Sequence, residues 1–235
     1  SRVATTTELR RITDIGASTR AGTSRARVGR CNDSRMCGRA TNQYEARLLA
    51  ERMGLDISDS ELWTPSYNIA PTQPIPVAGL RDGRRTLRVM RWGLIPSWSK
   101  DRDIAARCIN ARAETVAERP AFREAFKKRR CAVLVTGWYE WKVEGKGKVP
   151  HWFHAAEGAG DVLVLAGLWE RGTDPTSGEE LRTCSIVTCA PNAKAAQVHD
   201  RMPVVLDEEG LTRWLAPESQ PAGLHALLRA CPDDV

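Results

Sequence analysis

From residue 75 to residue 189 the chain is a series of short runs rich in β-branched and aromatic residues, cut apart by turn residues. Residues 75–80 and 86–92 flank Arg81-Asp82-Gly83-Arg84-Arg85, which predicts a hairpin, because Asp-Gly accepts the positive φ angles of a tight turn. Residues 131–136, 138–143, 149–154, 162–168 and 183–189 continue the series, with Gly145-Lys146-Gly147 turning the chain between the second and third of these. Helical patterns are few. Asn42 fits an N-cap with Glu45 as its partner, opening a helix through Ala46, Leu48, Leu49, Ala50 and Met53 that Gly54 stops. Residues 121–130 read as a basic helix after Pro120, and residues 208–215 and 222–230 also read as helices. Many strands in succession with peripheral helices predict an α+β domain around a largely antiparallel sheet, closed as a barrel or stacked as a sandwich.

A chain of 235 residues with 42% hydrophobic and 27% charged content suits one soluble domain with a real core. No apolar run approaches the ~18 residues that span a membrane. The formal charge of +6 is unevenly placed. Residues 1–35 hold eight Arg against Glu8, Asp14 and Asp33, a net of +5, which leaves the remainder at +1. Bulk charge therefore does not supply a nucleic-acid surface, and any such surface must come from local arrangement.

Seven cysteines, an odd number without regular spacing and without an apolar signal peptide, predict a reduced cytoplasmic protein with mostly buried thiols. Metal-ligand spacing is poor. Cys184 and Cys189 on one strand point to opposite faces, as do His151 and His154 on another, so no metal or other cofactor is expected.

Residues 1–35 are rich in Arg, Ser, Thr, Gly and Ala and hold five large aliphatics. They read as a disordered leader, or as an upstream stretch translated because the start was assigned too early; an organelle presequence has a similar composition. Residues 36–235 then form a single domain. If Met36 is the first residue, its removal leaves Cys37 at the amino terminus. A terminal cysteine carries an α-amine and a thiol on adjacent carbons, a pair that captures an aldehyde in a five-membered ring.

Six segments hold polar or aromatic residues in unusual company: Cys37-Gly38-Arg39, Ser66-Tyr67-Asn68-Ile69-Ala70-Pro71-Thr72, Trp92-Gly93-Leu94-Ile95-Pro96-Ser97-Trp98, Asn110-Ala111-Arg112-Ala113-Glu114-Thr115, Gly137-Trp138-Tyr139-Glu140-Trp141 and His199-Asp200-Arg201-Met202-Pro203. In this order, behind Met36, they resemble the SRAP family, the SOS-response-associated peptidases or abasic-site processing proteins. The resemblance runs from Met36 to about Leu215.

It implies a protein of the DNA damage response that recognises abasic sites in single-stranded DNA and crosslinks to them through Cys37, as a monomer and without a cofactor. A free α-amine has a pKa of about 8 against about 10.4 for Lys, so it is the better nucleophile at neutral pH. It attacks the open-chain aldehyde to give a Schiff base, and the thiol closes a thiazolidine. Glu140 sits between Trp138 and Trp141, an apolar setting that suits a carboxyl trading protons. His199 is expected to assist opening of the sugar ring, and Asn110 to orient it. Arg39, Arg112 and Arg201 are expected on phosphates. Trp92, Pro96 and Trp98 are expected as a wedge or stacking surface for bases beside the lesion. Pro71 belongs to the same surface, and Asn68 supports the loop near Cys37. The run Lys127-Lys128-Arg129-Arg130 reads as a solvated helix end.

Two departures stand against the family pattern. Cys37 is internal, so its chemistry requires loss of residues 1–36. Relatives also continue with a segment bearing Pro-Val-Ser and Val-Asn where this chain stops at Val235, so a truncated C-terminus is expected. Two other functions fit the residues: a cysteine peptidase, self-cleaving in its mildest form, with Cys37 as nucleophile and His199 and Glu140 as helpers, or a non-catalytic binder of modified or single-stranded DNA.

Overall fold

The computed structural model describes residues 38–58, 63–157, 160–174 and 177–235. Cys37 and the expected leader lie outside the described residues. In chain order the elements are β1 (Arg39–Asn42), α1 (Ala46–Arg52), β2 (Ser66–Ile69), β3 (Pro74–Arg81), β4 (Arg84–Trp92), β5 (Asn110–Arg112), α2 (Arg123–Lys128), β6 (Arg130–Val135), β7 (Gly137–Glu144), β8 (Gly147–Phe153), β9 (Leu163–Thr173), β10 (Glu180–Cys189), β11 (Met202–Pro203), α3 (Glu208–Leu215) and α4 (Pro221–Leu227).

Five strands close a barrel. β10 pairs with β4, β4 with β3, β3 with β6, β6 with β9, and β9 returns to β10. Every pairing is antiparallel except β4 with β10. Closure removes the free edges that an open sheet must protect. Val77, Val133 and Leu165 lie side by side across three strands and are wholly buried. Each such side chain contributes about 1.5–3 kcal/mol of transfer free energy. The hairpin between β3 and β4 is the one that Asp82-Gly83 predicts. Both residues have positive φ, 51° and 76°, which is a type I′ turn with Arg81 paired to Arg84.

A second, four-stranded antiparallel sheet has the order β2-β1-β7-β8. One residue, Thr136, joins β6 of the barrel to β7 of this sheet, and its amide donates to the Thr41 carbonyl at 2.7 Å. The next residue has to be glycine. A Cβ on Gly137 would lie 2.3 Å from the Trp152 indole nitrogen and 2.5 Å from the Phe153 carbonyl oxygen.

Two local expectations are corrected. Asn42 ends β1 and does not cap α1; its wholly buried amide donates to the Leu134 carbonyl and accepts from the Tyr44 amide, which ties the sheet to the barrel. The helix stop at Gly54 holds: Gly54 has φ 60°, and the Gly54 and Leu55 amides return to Glu51 and Ala50. The second correction concerns the basic run. The helix after Pro120 ends at Lys128, and Arg130 opens β6 as a buried side chain. Its guanidinium donates to the carbonyls of Phe126, Lys127, Trp214 and Ala216, closing the C-terminal ends of α2 and α3. Arg129 pairs with the buried Glu170 at 2.6 Å. Among the described residues no helix is long and apolar enough to cross a membrane.

Candidate functional site

The register of β1 on β7 pairs Arg39 with Tyr139, Ala40 with Trp138 and Thr41 with Gly137. Continued by one residue, it sets Gly38 opposite Glu140. Gly38 follows Cys37, so the strand leads directly from the expected nucleophile to the expected acid–base group. Glu140 is 2% exposed and shares its face of β7 with Trp138. Trp138 stacks on Phe153 of β8, with ring centroids 5.1 Å apart and an interplanar angle of 10°. Arg39 is half-buried, and its Nη1 donates to the Gly38 carbonyl.

His151 has no role in the sequence reading and emerges here. It is the cross-strand partner of Glu140 on β8, and its buried Nε2 has no hydrogen-bond partner among the described residues. The signal was present in the hairpin. Counting outwards from the Glu144–Gly147 pair at its turn brings Glu140 to His151.

A second group gathers at the far end of β10. Asn110 and Arg112 pair in parallel with Ile186 and Thr188; Asn110 is half-buried and Arg112 exposed. Arg201 departs from its expected role as a free phosphate clamp. Its guanidinium makes a two-pronged pair with Glu114, at 2.6 and 2.8 Å, and donates to the Thr188 carbonyl at 2.7 Å. It is a strut that fastens the His199 segment to β10. The hydrogen bond from Arg201 is the main cause that holds the Glu114 carboxyl below its ordinary pKa, against a smaller opposing effect of burial.

His199 Nδ1 lies 3.1 Å from the Arg201 amide and 2.9 Å from Asp200 Oδ1. A neutral ring satisfies one of these, because Nδ1 either accepts or donates. Asp200 is 84% exposed and water competes for it, so the amide contact is the stronger. Nδ1 is then the acceptor, and Nε2 carries the proton.

Trp92 also needs correction. It is wholly buried, with its indole N–H donating to the Ile109 carbonyl at 2.9 Å, so it has no face to offer a base. It works as a hub. Its own carbonyl accepts from the Thr72 amide at 2.6 Å, so one residue ties the Pro71 turn to the segment that enters Asn110. That turn spans residues 70–73, with Pro71 second and Thr72 third, and Thr72 has φ 74°. This is a type II turn with Thr where glycine is preferred, a strain of about 1–3 kcal/mol of the kind that collects at functional loops. Asn68 is exposed on β2, beside β1. In the loop after β4, Pro96 is buried and Trp98 is 61% exposed, so the available stacking ring there is Trp98.

The thiols among the described residues are poor nucleophiles. Burial pushes Cys108, Cys131, Cys184 and Cys231 above the ordinary thiol value, and Cys189 up to about 11. Among the described residues no three His, Cys, Asp or Glu side chains gather as a metal site.

The chain is 39% identical over 199 residues to the abasic site processing protein YoqW of Bacillus subtilis, covering 83% of this chain and 87% of that one. It is 31% identical over 185 residues to the abasic site processing protein HMCES of Xenopus tropicalis, covering 67% of this chain and 55% of that one. A solved structure of a protein from Bacteroides thetaiotaomicron matches with a TM-score of 0.75 at 29% identity, over 84% of this chain and 89% of that one. The model of the SOS response associated peptidase family matches residues 36–235, and the chain belongs to that family, SRAP.

Proposed function

We propose that this protein recognises abasic sites in single-stranded DNA and holds them as a covalent adduct on Cys37, once residues 1–36 have been removed. The observation that carries the reading is the pairing of Arg39 with Tyr139, which brings the buried Glu140, the next residue of β7, to the end of β1 that follows Cys37 and Gly38 in the sequence. The names of the relatives, abasic site processing proteins, support the substrate class.

The ring-opened abasic sugar presents an aldehyde. The Cys37 α-amine adds to it, and the carbinolamine loses water to give an imine. The Cys37 sulfur then adds to the imine carbon while the thiol proton passes to nitrogen, closing a thiazolidine. One water leaves and nothing is oxidised or reduced. Glu140 relays the protons, accepting one from the ammonium that forms when the neutral amine adds and giving one to the departing hydroxyl. His199 presents its Nε2–H to the sugar-ring oxygen and assists opening, while Asn110 orients the sugar. Arg39 and Arg112 take phosphates, Trp98 and Pro71 border the bases, and Asn68 supports the β2 edge.

Self-removal of residues 1–36 is the second reading, supported by the peptidase description of the matching family, with Cys37 attacking the preceding carbonyl and Glu140 relaying protons. Upstream removal that persists in Cys37→Ala, in a host lacking suitable proteases, argues against it.

The test uses protein starting at Met36, with loss of that Met confirmed by mass, incubated with a single strand carrying one abasic site. A heat-stable shifted band is expected on a denaturing gel with the wild type, and none with intact DNA or Cys37→Ala. In Glu140→Gln it should form about a hundredfold more slowly. A band that survives Cys37→Ala overturns the reading.

A further inference from the structure

We infer that a cleft between β4 and β10 is a phosphodiester subsite for the DNA strand that flanks the lesion, a reading that rests on the single-stranded DNA function proposed above. The two strands pair only through Arg91 with Thr183 and Trp92 with Cys184. Before that point they diverge around an open cleft of about 490 Å³. Arg88 and Arg91 line it from β4 and Arg182 from β10, and Glu180 is the one acidic residue in its walls. Glu180 is itself shared between Arg182 and Arg171, so the walls keep a net positive charge.

Guanidinium groups gathered on the walls of one cleft raise a local positive potential that an anion relieves. The near-neutral charge of residues 36–235 makes this concentration a local feature and not a consequence of bulk composition. The buried Nε of Arg91 has no hydrogen-bond partner among the described residues, which leaves a desolvated donor for a ligand oxygen. The forked donors of Arg match the two non-bridging oxygens of a phosphodiester. Val89, Met90 and Leu181 supply apolar surface for the sugars between phosphates. The occupant is identified by continuity. Thr72, the strained residue of the Pro71 turn, forms another wall of the cleft, so a strand leaving the lesion past Pro71 enters it directly.

The experiment compares the wild type, matured to Cys37, with a triple variant Arg88→Gln, Arg91→Gln, Arg182→Gln. Fluorescence anisotropy would follow binding to strands carrying a tetrahydrofuran abasic analogue, which has no aldehyde and does not crosslink. One strand has about seven nucleotides, confined to the lesion site, and one about twenty, long enough to fill the cleft. The wild type is expected to bind the long strand more tightly. The variant should lose at least tenfold on the long strand, and its slope of log K against log salt should fall by about 2, as three lost phosphate contacts require. Its affinity for the short strand, and its crosslinking of a short reactive abasic strand, should match the wild type. The corresponding triple Lys variant should keep the salt slope. Unchanged long-strand binding in the Gln variant overturns the subsite, and so does an equal loss on both strands. A wild type that binds neither strand brings down the underlying function, and the subsite with it.

Discussion

Replacing Trp92 with Phe separates a ring that stacks on DNA from a ring that holds the site together. The indole N–H donates to the Ile109 carbonyl, which also accepts from the Ile186 amide at 3.1 Å. The carbonyl therefore keeps one partner in the variant, and the lost hydrogen bond costs about 1–1.5 kcal/mol. The smaller ring leaves a void at a wholly buried position, worth about a further 1–2 kcal/mol. A total of about 2–3.5 kcal/mol lowers the melting temperature of a domain this size by roughly 4–14 °C. Thermal unfolding by circular dichroism measures that shift, and anisotropy on the unreactive short strand measures affinity at a temperature where both proteins are folded. The expected result is a lower melting temperature, a less than about threefold change in affinity, and slower crosslinking because Ile109 leads into Asn110. An unchanged melting temperature with the loss expected of a stacking ring, about 1–3 kcal/mol in binding, would refute the reasoning.

Gly137→Ala should destabilise by about 3 kcal/mol, because its Cβ meets a backbone oxygen that has no room to move; unfolding in urea checks this, and an unchanged midpoint contradicts it. Thr72→Gly should stabilise by about 1 kcal/mol by releasing the left-handed strain, and equal stability would show that the turn is relaxed as it stands. Glu114 gives a pH prediction. Its folded-state pKa is lowered, chiefly by Arg201, so its contribution is complete above the unfolded value near 4.3 and fades as pH falls through the lower folded value. Glu114 is half exposed, so the contribution is under about 1 kcal/mol, and Glu114→Gln should flatten the loss of stability below about pH 4. Identical acid profiles by urea midpoint would count against the strut.

Where local chemistry decides the structure, the sequence is a sufficient guide. Asp82-Gly83 dictates its turn, Gly54 stops α1, and α3 occupies the expected residues because Asp207 caps it through the Gly210 amide. The antiparallel α+β architecture followed from strand patterns alone. What escaped depends on closure of the barrel. β5 and β11, three and two residues long, are too short to signal themselves, and they exist because β10 offers them an edge. Arg130 looks like a surface charge until two helix ends converge on it. Trp92 sits in a motif with the exposed Trp98, and only the packing tells the two rings apart. Arg201 reads as a phosphate ligand because Glu114, its partner, lies on a distant segment.

The central claim is that amine and thiol of the same residue are both consumed by the lesion. Intact mass of the purified adduct, with Cys37 mapped by digestion, tests it most directly. The account predicts a mass equal to protein plus abasic strand less one water, no gain of hydrogen on borohydride treatment, and a Cys37 thiol that resists alkylation. An adduct that borohydride reduces and whose Cys37 thiol still alkylates would be an open imine, and would contradict it.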